Sequence, residues 1–315
     1  MIVKYQNRTV EINVQEKLLQ NISSILDVNK RYFILTDETV FQLYHSLFHD
    51  FINSFIYQIK PGEESKSIEV ALVVIKLMLE NNFDRSDTLI AFGGGVVGDL
   101  GGFIASLYKR GINYINIPTT LIAQVDSAFG GKVGVNYLNY KNQIGCFYHP
   151  SLILVDPTLI QTLTKIDFIS GMCEVLKYAI LFDKEMFYDI ASNNYELLNI
   201  IERCIKYKIN ITLKDEYDNH ERKLLNFGHT IGHAIEAKYH LPHGISIGYG
   251  MYLESKDERI KNALISLGLD FSTQFTDLSN YILKDKKISH QKITMVRIRD
   301  IGDAYIEEGD IYEYL

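Results

Sequence analysis

A run of glycines at a strand-to-helix junction is the strongest constraint in this 315-residue chain. The apolar stretch Thr88 to Phe92 leads straight into Gly93-Gly-Gly-Val-Val-Gly98-Asp99, and helix-like Leu100 to Tyr108 follows. Glycines at 93, 95 and 98 make a G-x-G-x-x-G pattern, whose backbone N–H groups can approach a pyrophosphate at a helix N-terminus. For the motif alone, a tight turn without a ligand is the alternative. A Rossmann unit also wants an acidic strand end about 20 residues further on, and Ile117-Pro-Thr-Thr120 stands there instead. Any dinucleotide site is therefore of a non-Rossmann kind. Asp37, at the end of the strand containing Ile34-Leu35, is then the candidate for the ribose hydroxyls. Gly130-Gly131-Lys132 looks like the tail of a phosphate loop, but Asp126 and Val133 occupy the places of the Walker glycine and hydroxyl. That reading fails, although Lys132 on a glycine-rich loop can still meet a phosphate.

Strands and helices alternate around the glycine run. Arg31 to Thr36, Phe55 to Ile59, Thr88 to Phe92, Tyr114 to Ile117 and Leu152 to Val155 read as strands. Ser67 to Glu80 carries Ile68, Ala71, Leu72, Ile75 and Leu79 at helical spacing. Strands separated by helices imply parallel β-α units, with ligands beyond the carboxyl ends of the strands. After Asp156-Pro157 the strand signals fade, and Ile166 to Phe182, Phe187 to Leu213 and Leu224 to Tyr239 read as helices. The expected fold class is an α/β N-terminal domain with a parallel, non-Rossmann dinucleotide-binding sheet (residues 1–158) plus an all-α C-terminal domain (159–315). With no long linker between them, a cleft at their boundary is the default site.

Composition narrows the function classes. Apolar residues make up 47% and charged residues 23%, which excludes general disorder. With 32 basic against 39 acidic residues the net charge is −7, which argues against nucleic acid as the main partner. The N-terminal residues MIVKYQNRTVEINV carry no signal-peptide core, and the longest apolar stretch, Val70 to Ile75, stops at Lys76. No membrane association is expected. Cys146, Cys173 and Cys204 suit unpaired thiols in a reducing compartment, so the expected location is cytoplasmic.

Five of the nine histidines lie between residues 220 and 243. His229 and His233 are i and i+4 on a helix and share a face, and His243 follows in the turn Leu241-Pro-His-Gly244. A catalytic zinc takes three protein ligands and keeps one position open. Glu174, on a helix buried through Val175, Leu176 and Ile180, is the natural acidic ligand, because a buried carboxylate is costly without a cation. Pairing with Lys177 or Lys208 is the structural alternative. Spacing alone leaves open which two histidines join Glu174.

Taken in order, these segments resemble the 3-dehydroquinate synthase family of the shikimate pathway. The resemblance runs from about Asp37 to Lys287. It rests on Gly93-Gly-Gly-Val-Val-Gly-Asp99, Arg110-Gly111, Pro118-Thr-Thr-Leu-Ile-Ala-Gln-Val-Asp126-Ser127, Gly130-Gly-Lys132 and Lys141-Asn142. It continues through Ser170-Gly-Met-Cys-Glu174-Val-Leu-Lys177-Tyr178, Arg222 with Asn226-Phe-Gly-His229-Thr-Ile-Gly-His233, and Pro242-His243-Gly244. By matching position, the resemblance implies Glu174, His229 and His243 as ligands of zinc or cobalt, with His233 a catalytic, phosphate-side group. It implies NAD held by Asp37, Glu63, Lys66, Gly93, Gly94, Gly95, Asp99, Thr119, Thr120, Asp126, Lys132 and Lys141.

The implied substrate is a small sugar-acid phosphate, 3-deoxy-D-arabino-heptulosonate 7-phosphate, converted to 3-dehydroquinate and phosphate. Transient oxidation by NAD, β-elimination of phosphate, re-reduction and intramolecular aldol closure make the enzyme a carbon-oxygen lyase with a recycled cofactor. The resemblance implies a catalytic set of Asp126, Lys132, His233, Lys177 and Asn226. It gives the phosphate to Arg110, Lys132, Asn142, Lys177, Asn226 and His233, with Lys286 added, and the substrate carboxylate to Lys208 and Arg222. A homodimer is also implied. Asp218 stands where the family has Glu, Tyr140 stands where Gly precedes Lys-Asn, and the stretch between His243 and Lys287 is short for the family. The rival readings are another sugar-phosphate cyclase, a metal-dependent polyol dehydrogenase of the same fold, and a non-catalytic binding relic.

Overall fold

The computed structural model describes residues 1–138, 140–283 and 292–310. The chain divides into two compact units, Met1–Thr162 and Leu163–Leu315. Among the described residues no helix is long and apolar enough to cross a membrane.

The first unit is built on a seven-stranded sheet. Its strands are β1 (Ile2–Lys4), β2 (Thr9–Val14), β3 (Tyr32–Asp37), β4 (Phe55–Ile59), β5 (Thr88–Gly93), β6 (Asn113–Pro118) and β9 (Leu152–Val155), in the order β1-β2-β9-β6-β5-β3-β4. β1 pairs antiparallel with β2, and every other neighbour in the sheet is parallel. The five strands expected from apolar runs are all present. The edge pair β1 and β2 was not expected, because these strands alternate buried and exposed residues and carry no apolar run.

Alternation along the central strands feeds two separate cores. Phe33, Leu35, Leu89 and Ala91 point to one face, against Ala71, Val74 and Met78 of helix Ile68–Glu80 and Leu100 and Ile104 of helix Gly95–Leu107. Tyr32, Ile34, Ile90 and Phe92 point to the other, against Leu18, Leu19, Ile22, Phe48 and Phe51. A sheet covered on both faces is what near-continuous apolar strands require. A separate antiparallel ribbon, β7 (Lys132–Tyr137) and β8 (Tyr140–Phe147), places Val133 and Val135 in the first of these cores.

Strand order fixes where a ligand can go. From β3 the chain moves outward to β4, then returns to lay β5 on the other side of β3. The carboxyl ends of β3 and β5 therefore flank a topological switch point, where open α/β sheets leave a crevice. Asp37 ends β3 and Gly93 ends β5.

The second unit is helical, with one addition to the all-α expectation. β10 (Lys292–Asp300) and β11 (Asp303–Asp310) form an antiparallel ribbon near the chain end. The ribbon turn is fastened to the helices: Gly302 N–H donates to Ile180 O at 2.8 Å, and Asp300 meets Lys184 and Arg259, each at 2.7 Å. Helix Lys165–Phe182 buries every residue from Ser170 to Leu181. The single helix expected over 187–213 is two, Lys184–Ala191 and Leu197–Lys214, parted near Asn193, whose φ is +54°. The helix expected over 224–239 starts only at His229, after Gly228 at φ +75°.

Three helices approach closely enough to require glycine. A Cβ at Gly244 would strike the carbonyl of Ser170, and one at Gly250 would strike the carbonyl of Gly228. A Cβ at Gly232 would lie 2.8 Å from the Ile247 side chain. Helices Lys165–Phe182, His229–Tyr239 and His243–Ser255 thus pack backbone against backbone. In an ordinary helix interior Gly→Ala gains about 1 kcal/mol. Gly250→Ala should instead lose about 1–3 kcal/mol through overpacking, read as a lower urea midpoint.

Candidate active site

Glycines 93 to 95 turn the chain from β5 into helix Gly95–Leu107, with Gly94 at its N-cap. The cradle is tight: a Cβ at Gly94 would lie 3.0 Å from Thr120 Cγ2, and one at Gly95 3.2 Å from Ser127 Oγ. Thr119 N–H donates to Gly93 O at 3.0 Å, so the threonine pair after β6 is pinned beside the glycine turn. Asp37 lies at the adjacent strand end, where its carboxylate caps the next helix by accepting from Val40 N–H at 2.9 Å. Burial raises the Asp37 carboxyl above its ordinary value, against the hydrogen bonds it accepts from Val40 and Thr39. Asp37, Gly93 to Gly95, Thr119 and Thr120 therefore sit at the carboxyl ends of three neighbouring strands.

A polar network joins four more of the expected residues. Lys66 Nζ lies 2.5 Å from Asp99 Oδ2 and 2.6 Å from Asn142 Oδ1. Asn136, which the sequence reading did not single out, ties this network together. Its amide donates to Glu63 Oε1 at 2.8 Å and its side-chain oxygen accepts from Asn142 N–H at 2.9 Å. Asn142 was assigned to the phosphate; here it contacts Lys66. Asp126 lies in the π-type turn Ala123–Ser127 that follows the threonines, Lys132 opens β7 and Lys141 lies on exposed β8. Arg110 lies beyond the far end of helix Gly95–Leu107, roughly 18 Å of helix from the glycine turn.

In the second unit the buried helix Lys165–Phe182 holds Glu174, fully excluded from solvent. Lys177, one turn on, places Nζ 2.6 Å from Glu174 Oε2. The other carboxylate oxygen faces histidines: Oε1 lies 3.4 Å from His243 Nε2 and 4.0 Å from His229 Nε2. The remaining ring nitrogens are held from behind, His229 Nδ1 at 3.0 Å from Phe227 O and His243 Nδ1 at 3.0 Å from Glu236 Oε2. His233 completes the cluster, and the ligand atoms of the three imidazoles all lie within 4.8 Å of one another. Burial by itself would lower His243, but Glu174 and Glu236 outweigh it and hold the imidazole up at about 9.

This donor set fits a divalent cation. Ligand atoms held about 2.0–2.1 Å from one tetrahedral ion are roughly 3.3 Å apart. The His243–Glu174 spacing already matches, and His229 has a little over half an ångström to close. Outward hydrogen bonds from Nδ1 leave Nε2 as the coordinating atom, which is how metal-binding imidazoles are held. Glu254 fixes the register of the helix that carries two of the rings: its carboxylate accepts from Gly228 N–H at 2.8 Å and Ile231 N–H at 3.4 Å. Glu236 and Glu254 were missed from sequence, because a glutamate on an amphipathic helix has no spacing signal that separates it from a solvated one.

Two further cations are buried in the same unit. Lys208, on helix Leu197–Lys214, and Arg222, in the 3-10 segment Glu221–Asn226, are 7% and 3% exposed. That segment packs against both helix Leu197–Lys214 and helix Lys165–Phe182. Arg222 Nη1 donates to Glu216 O at 2.6 Å and its N–H to Asp215 Oδ2 at 3.0 Å. Asn226 ends the segment, three residues before His229. Asp218 takes φ +63° in the turn between them. Lys286 lies outside the described residues.

The chain is similar to proteins already known. The models of the 3-dehydroquinate synthase N-terminal and C-terminal domains match residues 56–170 and 171–288. A 3-dehydroquinate synthase of Clostridium beijerinckii is 37% identical, over 99% of this chain and 98% of the relative. One from Alkaliphilus metalliredigens is 38% identical over 93% and 90%. Among solved structures, 2-epi-5-epi-valiolone synthase from Streptomyces hygroscopicus subsp. jinggangensis, with NAD+ and Zn2+ bound, superposes with a TM-score of 0.87. It is 26% identical, and the match covers 100% of this chain and 97% of that one. Sulfoacetaldehyde reductase from Bifidobacterium kashiwanohense, at a TM-score of 0.66 and 14% identity over 91% and 93%, shares the fold alone. The chain belongs to the 3-dehydroquinate synthase family.

Proposed function

We propose that the chain converts 3-deoxy-D-arabino-heptulosonate 7-phosphate to 3-dehydroquinate and phosphate, using bound NAD and zinc or cobalt. The observation that carries this reading is the convergence of Glu174, His229 and His243 with both Nδ1 atoms tied back, in a unit that also buries Lys177, Lys208 and Arg222. A metal-ligand set in a unit that also buries several cations suits a substrate that brings both hydroxyls and anions. When bound, NAD supplies reversible hydride removal and the cation polarises the hydroxyl oxygens it gathers.

The side chains have separable tasks. Glu174, His229 and His243 would hold the cation. Asp37 would take ribose hydroxyls, and the N–H groups at Gly93 to Gly95 would face the pyrophosphate at a helix N-terminus. Glu63, Lys66, Asp99, Thr119, Thr120 and Lys141 would complete the nucleotide side. Lys177, His233, Asn226, Lys132, Asn142 and Arg110 would receive the phosphate ester, neutralising the charge that grows as it leaves. Arg222 offers a planar fork for the carboxylate, supported by Lys208. Asp126 would orient substrate hydroxyls. A homodimer and a cytoplasmic setting belong to the same proposal, and sedimentation velocity should show a species of about twice the 36.2 kDa chain.

The dehydrogenase reading has less support. Identity of 37% over almost the whole chain is to proteins named for the synthase, whereas the alcohol-dehydrogenase-like structures share fold alone. Supplied with the heptulosonate phosphate and catalytic NAD, the protein should release phosphate without net NADH, and a chelator should stop it. Steady NADH from a polyol with no phosphate would replace this reading with the dehydrogenase. Asp37→Asn should keep the helix cap, since Asn caps about as well as Asp. Its melting temperature should therefore hold while NAD binding, read by fluorescence titration, weakens roughly 10- to 100-fold through loss of a charged acceptor.

A further inference from the structure

We propose that Glu236 is a positioning residue that aims His243 at the cation and supplies the negative charge that Lys177 withdraws. The inference rests on the reading of Glu174, His229 and His243 as ligands. His229 needs no outside help: its Nδ1 lies 3.0 Å from Phe227 O, a carbonyl two residues away on its own chain. His243 differs. It opens helix His243–Ser255 directly after Pro242, and its side chain is 37% exposed, so packing leaves its ring room to turn. The contact that orients it is made across helices, from Glu236 Oε2 to Nδ1 at 3.0 Å. Glu236 is itself only 14% exposed and lies on helix His229–Tyr239, the element that carries His229 and His233. The helix that presents one ligand therefore aims a second.

Charge gives the same residue a second task. A divalent cation at Glu174 would sit beside the Lys177 ammonium, which is 2.6 Å from Glu174 Oε2 and shares that carboxylate. One glutamate cannot balance both. A carboxylate on the far side of His243 raises the basicity of the coordinating nitrogen and fixes the tautomer with its proton on Nδ1. Glu236 does this from outside the coordination sphere, because its oxygen meets Nδ1 and not Nε2.

The test is a metal titration of the apoprotein, with Zn2+ competing against a chromophoric chelator and Co2+ read by its visible absorption. Wild type, His243→Ala, Glu236→Ala and Glu236→Gln are compared, together with the urea midpoint of each apoprotein. We expect Glu236→Ala to bind Zn2+ about 10- to 100-fold more weakly than wild type and to show altered Co2+ bands, with an unchanged apoprotein midpoint. Glu236→Gln, which keeps an acceptor but loses the charge, should fall between the two. If His243→Ala binds as tightly as wild type, the ligand reading itself is wrong. If His243→Ala loses the metal while Glu236→Ala keeps wild-type affinity and bands, the role of Glu236 is overturned. It is equally overturned if Glu236→Ala is weak only because its apoprotein has lost stability, with Glu236→Gln indistinguishable from wild type.

Discussion

A carboxylate with no exposure to water, on a helix buried along twelve consecutive residues, is the constraint around which the second unit is arranged. Leaving Glu174 charged there without partners would cost several kcal/mol. Lys177 meets one oxygen from the same helix, and His243 and His229 face the other from two different helices. Those helices reach Glu174 only because Gly228, Gly232, Gly244 and Gly250 let three backbones approach at distances that exclude a Cβ. The glycines of the histidine motifs thus serve the chemistry by setting interhelical distance. The three ring-bearing positions converge as a consequence of packing and not of local conformation.

In the first unit the governing constraint is the order of the strands. The acidic residue precedes the glycine turn in sequence, the reverse of a Rossmann unit, yet the chain's return past β3 to form β5 makes their carboxyl ends neighbours. Topology restores what sequence order lacks. The same arrangement places Thr119 against Gly93, since β6 is the next strand over and pairs Pro118 with Gly93.

Much of this was legible in the sequence where burial is symmetrical. The central strands are apolar on both faces and read as runs, and Leu152–Val155 came out with its observed bounds, as did Phe55–Ile59, an edge strand that is only part-buried but rich in large apolar residues. Strands that are short or carry mostly polar, exposed residues escaped. β8 is exposed along most of its length, and β1 is three residues long. Helix breaks at Gly228 and Asn193 were hidden because a positive φ leaves no trace in apolar periodicity. Among candidate residues, those in motifs were found, while Asn136, Glu236 and Glu254 were not. Their meaning lies in partners 73, 7 and 26 residues away, contacts that only the fold creates. Arg110 shows the converse: a motif residue that its own unit places far from the glycine turn.

Both units treat a buried lysine in the same way. Lys66 rests against Asp99 and Asn142, and Lys177 rests against Glu174, each nearly excluded from water. A lysine on a solvated surface would have to shed its hydration and lose rotamer freedom when an anion arrived, costs of the size that make exposed ion pairs weak. Here those costs were met on folding, against a carboxylate that holds the ammonium in place. An incoming anion then shares or exchanges partners with a charge already oriented, which is preorganisation in its electrostatic form. On the proposed function, a chain of net charge −7 would bind anions in this way. The charge that matters is the local one, fixed in low-dielectric surroundings, and the acidic surface is too well screened by solvent and salt to oppose it.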